Sequence, residues 1–370
     1  MRIFRSTDWL LFSSALIISL LGIVSMYGFG TENDFAPRQA VWLGLGIVSF
    51  FVASSIDWRF LRRTVSVVSI YSVAVTMLLL LFAVGSVFQG AQSWFNLGAF
   101  AVQPADPAKL ALILVLAKYF SRRHIEIARI KHIFVSGLYA FVIFLLLFLQ
   151  PDFGSAIIVA GLWIGVILLA GIPFRHIATL AVVAVIAFSG LWTFGFAEYQ
   201  KDRIASFINP VADLQGTGYN AFQSTIAVGS GGVWGKGIGY GTQSRLQFLP
   251  EHETDFIFAA FTEEWGLGGA LLLLILFGML LYRIVASARM GATNFETLFA
   301  LGVAVLILVH AIIHIGMNIG LLPVTGTTLP FMSYGGSHVL IGYIMLGMIN
   351  SMRSYGRVVH SDQRFEVVGA

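Results

Sequence analysis

The sequence contains no cysteine, which excludes disulfide bonds, thiol nucleophiles and cysteine-ligated zinc sites. Charged residues are also scarce, because they make up 11% of the 370 residues, against about 25% in an ordinary soluble domain. Hydrophobic residues account for 58% of the chain, and the mean hydropathy is +0.86. Water is therefore not the main solvent of this chain. The small net charge of +4 gives no indication of a nucleic-acid partner.

The apolar residues occur in blocks long enough to span a bilayer, which requires roughly 20 residues each. The first block begins at Trp9, after Arg2 and Arg5, and is too long for the apolar region of a signal peptide. We therefore predict an all-α polytopic membrane protein with ten transmembrane helices. These helices are expected at residues 9–29, 38–56, 62–86, 105–121, 132–150, 153–172, 176–195, 255–285, 294–318 and 334–352.

The distribution of lysine and arginine predicts the orientation of the helices, because short cytoplasmic loops are enriched in both. If the first helix starts inside, the inner segments hold 15 of these residues and the outer segments hold 5. Both termini are thus predicted to be cytoplasmic. The fourth helix is short and begins near Pro107, but the bias would reverse beyond it if it did not span. We expect a single transmembrane domain over residues 1–354 and a short cytoplasmic tail over residues 355–370.

Two outer segments differ from the remaining loops. Residues 87–104 mix aromatic, glycine and amide residues, which indicates an interfacial or re-entrant stretch. Residues 196–254 form one long extracytoplasmic loop between helices seven and eight, and long loops on a rigid scaffold often carry functional sites. Within it, the glycine-rich stretch 229–241 resembles a phosphate-binding loop but departs from the Walker pattern at Ser230 and Gly237. We interpret that stretch as a flexible loop with tight turns.

Ionisable residues at membrane depth are costly and are therefore functional candidates. Four of them fall near the predicted outer ends of helices four, six and eight, and we expect them to share one outward-facing cavity: Asp106, Lys109, Asp152 and Asp255. Structural alternatives stay open for each. The three carboxylates can cap helices, and the lysine can extend to the outer interface.

Two further pairs have weaker claims to a functional role. Glu263 and Glu264 are adjacent and point in different directions, so at most one of them is expected to line a cavity. His310 and His314 lie one helical turn apart, a spacing that can bind zinc, but no third ligand is evident. A histidine pair packed inside the bundle is the favoured interpretation.

The motifs along the chain resemble those of the SEDS family (shape, elongation, division and sporulation) of cell-wall polymerases. The main run is GYNAFQSTIAVGSGGVWGKGIGYGTQSRLQFLPEHETDFIFAAFTEEWG at residues 218–266, and supporting runs lie at residues 90–98, 103–111, 150–156, 199–204 and 318–337. GTQS at 241–244 and FLPE at 248–251 resemble the RodA subfamily more than the division homologue FtsW. The chain departs from the family pattern with QPAD in place of QPSE, with Pro107 after Asp106, with FINP at 207–210 and with His338 after SYGGS.

The resemblance implies polymerisation of lipid II into glycan strands at the outer face of the bacterial cytoplasmic membrane, for cell elongation and rod shape. It also implies partnership with a class B penicillin-binding protein and with membrane proteins of the elongation complex. The family's essential carboxylate falls on Asp255, and its helix-four Glu and Lys match Asp106 and Lys109. A lipid II flippase and a non-catalytic scaffold of the wall-synthesis complex are the alternative functions. No nucleotide is needed, because the donor is activated by its lipid.

Inversion at the donor sugar requires a base and cationic groups that stabilise the leaving pyrophosphate. We predict Asp255 as the base. For the pyrophosphate we rank Lys109 first, Arg203 second and Lys236 third. A divalent cation held by Asp255 or Asp152 stays open, with no cofactor otherwise expected. The remaining candidates for substrate binding are Asp106, Asp152, Trp94 and Ser333, although the tryptophan can equally be an interfacial anchor.

Overall fold

The computed structural model describes residues 7–28, 35–88, 91–96, 98, 101–122, 130–208 and 217–368. Within these residues the chain forms 13 α-helices and three short strands, so the all-α fold class is confirmed. The helices are α1 (Trp9–Gly28), α2 (Phe35–Ser55), α3 (Thr64–Val84), α4 (Ala105–Ser121), α5 (Ile130–Leu149), α6 (Phe153–Leu169), α7 (Phe174–Gly190), α8 (Glu198–Ile208), α9 (Thr217–Ser230), α10 (Thr242–Arg245), α11 (Ile257–Ala288), α12 (Asn294–Asn318) and α13 (Gly336–Val368).

Each of the ten predicted transmembrane helices is present, as α1 to α7 and α11 to α13. Seven helical segments in the described part of the chain are long and apolar enough to cross a membrane. Two of the other three, α4 and α6, have only 17 residues each. The third, α13, continues to Val368, past the predicted end of the transmembrane domain at residue 354. The division into a domain and a cytoplasmic tail stays a prediction.

The short helix α4 lies at the centre of the bundle. Residues on all sides of it are buried, from Ala105 to Phe120, and it packs against α3 and α12. A helix that is apolar all round is typical of such a buried position. Pro107 falls in its first turn, where the missing backbone N–H has no intrahelical partner to lose. The unusual proline therefore leaves the helix intact.

The predicted interfacial stretch after α3 is a small antiparallel sheet. Its strands are β1 (Ser86–Phe88), β2 (Ala91–Asn96) and β3 (Ala101–Val102), in the order β1-β2-β3. The sheet ends just before Pro104 and leads directly into α4. It therefore lies at the helix ends that the charge distribution places outside.

The long segment predicted at residues 196–254 contains the helices α8, α9 and α10 among its described residues. Its glycine-rich stretch does form tight turns, with positive φ at four glycines. This stretch packs on α11 where that helix is bent at Gly266, whose φ is +66°. A Cβ on Gly266 would lie 2.3 Å from the backbone nitrogen of Gly235, so only glycine fits this contact.

Candidate active site

Asp255 lies in the turn of residues 251–256, immediately before α11. Asn318, the last residue of α12, fixes this turn with its fully buried side chain. Its Nδ2 donates to the carbonyl of Asp255 at 3.0 Å, and its Oδ1 accepts from the backbone N–H of Ala259 at 3.1 Å. The backbone of Asp255 is therefore tied to the end of a neighbouring helix, and the first turn of α11 gains a cap from another chain segment.

A cavity of about 250 Å³ adjoins Asp255 and lies between α8, α9 and the segment that follows α12. Arg203 from α8 supplies a cation, and Glu251 supplies a second carboxylate. Asn220 and Thr225 from α9 add amide and hydroxyl groups. Apolar residues complete the lining: Phe207, Phe222, Leu322, Pro323 and Val324. A base, a guanidinium and neutral polar groups thus share one partly enclosed space.

The surroundings of Asp255 make its carboxyl group a weaker acid than usual. Burial, together with the charge of Glu251, raises its pKa to about 7, although Arg203 acts in the opposite direction. Glu253 and Asp152 add smaller upward contributions. A carboxylate with a pKa near neutrality is suited to accept a proton during a reaction.

Asp152 is the N-cap of α6, which confirms the structural interpretation of this residue. Its Oδ1 accepts from the backbone N–H of Ser155 at 3.0 Å. Its Oδ2 accepts from Nε2 of Gln103 at 3.0 Å, which joins the start of α6 to the segment before α4. Its charge still acts on Asp255. Asp152 therefore belongs to the surroundings of the catalytic candidate without lining the cavity.

Asp106 and Lys109 form a separate buried cluster with the start of α13. Nζ of Lys109 lies 3.2 Å from Oδ1 of Asp106, and both side chains are less than 5% exposed. Ser337 donates its hydroxyl to Oδ2 of Asp106 at 3.0 Å, and Nδ1 of His338 lies 3.2 Å from Oδ1. The ring of His310 packs against that of His338 at 4.9 Å. Lys109 therefore lies inside the bundle and does not extend to the outer interface.

The segment of residues 325–338, here called the linking segment, contacts both groups. At one end, a Cβ on Gly326 would lie 3.4 Å from Oδ2 of Asp255. At the other end, Ser337 and His338 bind Asp106. Between them, Ser333 donates its hydroxyl to the carbonyl of Thr254 at 2.7 Å. Of the four residues expected to share a cavity, only Asp255 lines this one, together with Arg203. The linking segment connects them to the Asp106–Lys109 cluster.

Lys236 lies in a third group, away from the lining of the cavity. Its Nζ donates to Oε1 of Glu263 at 2.7 Å and to the hydroxyl of Thr242 at 2.8 Å. Glu264 accepts from the backbone N–H of Gly239 at 2.9 Å. Both glutamates are buried and hold the glycine-rich stretch against α11. The role of Lys236 in binding pyrophosphate stays a prediction, with no support from this contact pattern.

The remaining candidates occupy structural positions. Trp94 is partly buried in β2, opposite Ser86 of β1. His310 and His314 make hydrogen bonds through Nδ1 to the carbonyls of Thr328 and Thr327, so they are packed against the linking segment. Among the described residues no group of three or more His, Asp or Glu side chains is arranged to hold a metal. A divalent cation at Asp255 or Asp152 stays a prediction.

Sequence reasoning missed several residues that shape the site. Asn318 lies at the end of an apolar helix and begins the motif run at 318–337, but its sequence position does not indicate which backbone groups it binds. Gln103 and Ser337 lie within the motif runs but look like ordinary polar residues. Glu251 sits four residues before Asp255, and its partners depend on the turn between them. None of these contacts follows from sequence spacing.

Comparison with known proteins places the whole chain in one group. The sequence profile of the FtsW, RodA and SpoVE cell cycle proteins matches residues 2–357. Stage V sporulation protein E of Bacillus subtilis is 35% identical, with 95% of this chain and 98% of that protein covered. Peptidoglycan glycosyltransferase MrdB of Escherichia coli is also 35% identical, over 95% of this chain and 94% of that protein.

A solved structure of a peptidoglycan synthase complex, described as coordinating polymerization and crosslinking, contains a chain of the same fold. The TM-score is 0.81 at 30% identity, and the alignment covers 94% of this chain and 98% of that chain. This similarity covers nearly the full length of both chains.

Proposed function

Because the chain belongs to the FtsW/RodA/SpoVE (SEDS) family of peptidoglycan glycosyltransferases, we propose that it polymerises lipid II at the outer face of the cytoplasmic membrane. The observation that carries this proposal is the shared cavity of Asp255 and Arg203, in which burial raises the pKa of Asp255 to about 7. Relatives named as peptidoglycan glycosyltransferases support the type of reaction. The charge distribution supports an outer location, because the cavity lies at the helix ends with few basic loops.

The reaction joins the acceptor sugar to the donor with inversion at the anomeric carbon. The carboxylate of Asp255 accepts the proton of the acceptor hydroxyl, and the freed oxygen attacks the anomeric carbon of the donor. The bond from that carbon to the undecaprenyl pyrophosphate oxygen breaks, and its electron pair leaves with the pyrophosphate. Arg203 stabilises the negative charge that builds up there. Proton transfer of this kind contributes typically about 10²–10⁴-fold to a rate.

The position of Arg203 supports a different ranking of the cationic groups. Arg203 lines the cavity beside Asp255, whereas Lys109 lies outside that lining, in the neighbouring cluster with Asp106. We therefore assign the pyrophosphate contact to Arg203 first. Lys109 and Asp106 act through the linking segment, which positions the turn that carries Asp255.

Polymerisation by purified protein tests the proposal directly. Wild-type protein in detergent is given lipid II, and glycan strands are separated by gel electrophoresis. We expect no strands from Asp255→Asn, which keeps the size of the side chain but removes the base. The matched control is Asp202→Asn, an exposed acid beside Arg203 on α8, which should retain activity.

Melting curves must show that both variants fold as the wild type does. Full activity of Asp255→Asn would refute the assignment of the base. Absence of strands from the wild type, together with lipid II transfer across liposomes, would instead support a flippase. Absence of both activities would leave the scaffold function.

We further propose a RodA-like role in elongation, supported by the GTQS and FLPE runs at residues 241–244 and 248–251. Complementation separates the subfamilies: the gene should restore rod shape to cells depleted of their elongation polymerase. Rescue of division-depleted filaments, with no rescue of round cells, would contradict this role.

We propose a class B penicillin-binding protein as partner, because the similar chain of known structure belongs to a synthase complex that couples polymerization to crosslinking. Purification of the tagged chain with a co-expressed class B enzyme tests this pairing. Recovery of the chain without the enzyme at equal expression would contradict it.

A further inference from the structure

A second cleft, of about 550 Å³, lies between α3, α4 and α5. It is remote from the candidate active site, because Lys118 in its lining is 12 residues along α4 from Asp106, or about 18 Å at 1.5 Å per residue. The charge distribution places these helix ends at the cytoplasmic surface. The polymerisation mechanism uses none of the residues that line this cleft.

Three cationic side chains from two helices and the turn after α4 converge on the cleft: Lys118, Arg122 and Lys131. Lys118 and Arg122 are one helical turn apart and repel each other. Lys118 donates one hydrogen bond to the carbonyl of Arg62, which leaves its ammonium with further donors. None of the described residues that line the cleft is acidic. A bound anion would therefore reduce the repulsion between these cations, which no acidic side chain of the described lining offsets.

The walls between these cations are apolar, with Val67, Val115 and Val135 contributed by the three helices. Val68 and Tyr139 at its edge are exposed, so the cleft opens sideways at the level of the helices. The enrichment of basic residues in cytoplasmic loops explains their presence on this side. That enrichment does not explain why three cationic side chains line the same cleft with apolar walls.

We propose that this cleft binds the phosphate headgroup of an anionic membrane phospholipid. The cations contact the phosphate, and the valine walls contact the glycerol and the first part of the acyl chains. Basic pockets between transmembrane helices on the cytoplasmic side are suited to such lipids. The lateral opening favours a lipid over free phosphate, which has no apolar part to bury.

Native mass spectrometry of the whole chain tests this proposal, with phosphatidylglycerol or phosphatidylcholine added to the detergent micelles. The wild type should retain phosphatidylglycerol in preference to phosphatidylcholine. Arg122→Gln/Lys131→Gln should weaken that retention roughly tenfold to thirtyfold, since each basic residue near a membrane surface contributes a factor of about five. Both residues are exposed, and Lys131→Gln alone should give part of the loss.

The matched control is Arg175→Gln/Arg289→Gln, which removes two exposed cations from the same predicted side but outside the cleft. This control should retain the lipid as the wild type does. If both double variants lost phosphatidylglycerol equally, overall positive charge would explain the retention, and the proposal would be overturned. Equal retention of both lipids, or binding of inorganic phosphate with no lipid retained, would overturn it as well.

Discussion

Replacing Asn318 with alanine tests whether a buried amide positions the catalytic candidate. The side chain is fully buried at the end of α12 and makes close hydrogen bonds to two different segments. It donates to the carbonyl of Asp255 at 3.0 Å and accepts from the N–H of Ala259 at 3.1 Å. The same Nδ2 also lies 2.8 Å from the carbonyl of His314 in its own helix.

The cost of Asn318→Ala follows from the groups it leaves without a partner. The Ala259 N–H loses its hydrogen bond in a buried position and the Asp255 carbonyl in a partly buried one, at about 1–3 kcal/mol for each group. We therefore expect the free energy of unfolding to fall by about 2–6 kcal/mol. We also expect the polymerisation rate to fall, because a displacement of about 1 Å at a reacting group can lower a rate roughly 100-fold.

Two measurements on the same protein check this expectation. Equilibrium unfolding in detergent gives the stability, and polymerisation of lipid II at a series of pH values gives the rate. A turn that relaxes toward water buries Asp255 less, which lowers the pKa of its carboxyl group. The midpoint of the pH–rate profile should therefore move below its wild-type position near 7, in addition to the loss of rate.

The matched control is Asn294→Ala, an exposed asparagine at the other end of the same helix. It should leave the stability, the rate and the pH midpoint unchanged. If Asn318→Ala lost less than about 0.5 kcal/mol of stability and kept the wild-type rate, the assigned role of this amide would be wrong. A stability loss with an unchanged pH midpoint would reduce Asn318 to a structural residue.

Three further predictions concern charge, packing and pH. The polymerisation rate should rise with pH through about 7 and then level off, because the Asp255 base must be deprotonated and its raised pKa is about 7; a flat profile from pH 5 to 8 would contradict this. Lys109→Met should destabilise the protein by about 3–5 kcal/mol by leaving Asp106 as an uncompensated buried charge, and the added change Asp106→Asn should restore most of that loss in unfolding measurements. Gly266→Ala should lower the melting temperature, since residues in its backbone conformation cost about 1–3 kcal/mol, whereas Gly278→Ala, with open space around it, should not.

The helices of the bundle could be predicted from the sequence because hydrophobic length and the placement of basic residues are local properties. The interior of the outer segment could not, since α8 and α9 are amphipathic helices surrounded by glycine and polar residues. The count of basic residues did not indicate which of them form ion pairs. Arg283 counts only as a cytoplasmic cation in the sequence, yet its Nη2 lies 2.6 Å from Oδ2 of Asp8, 275 residues away.

The candidate site, like the fold, could be predicted only in part from the sequence. Asp255 and the Asp106–Lys109 pair could be identified from their types, their depth and the family motifs. Their distribution over two groups could not, because it depends on how the linking segment folds between α12 and α13. An i, i+3 spacing places Lys109 beside Asp106, but nothing in the spacing indicates that Ser337 binds the same carboxylate.

The linking segment explains how residues that do not share a cavity can still serve one reaction. Its backbone N–H at Tyr334 donates to the carbonyl of Glu253 at 2.8 Å, and the Ser333 hydroxyl donates to the carbonyl of Thr254. Both contacts fall on the turn that carries Asp255, while the far end of the segment is held by Asp106. In the proposed mechanism, a change in the buried ion pair displaces the turn through these hydrogen-bonded residues, and Lys109 needs no contact with substrate. In this mechanism, the polar residues of α4 are positioning residues for Asp255, and Arg203 is the cation that contacts the leaving group.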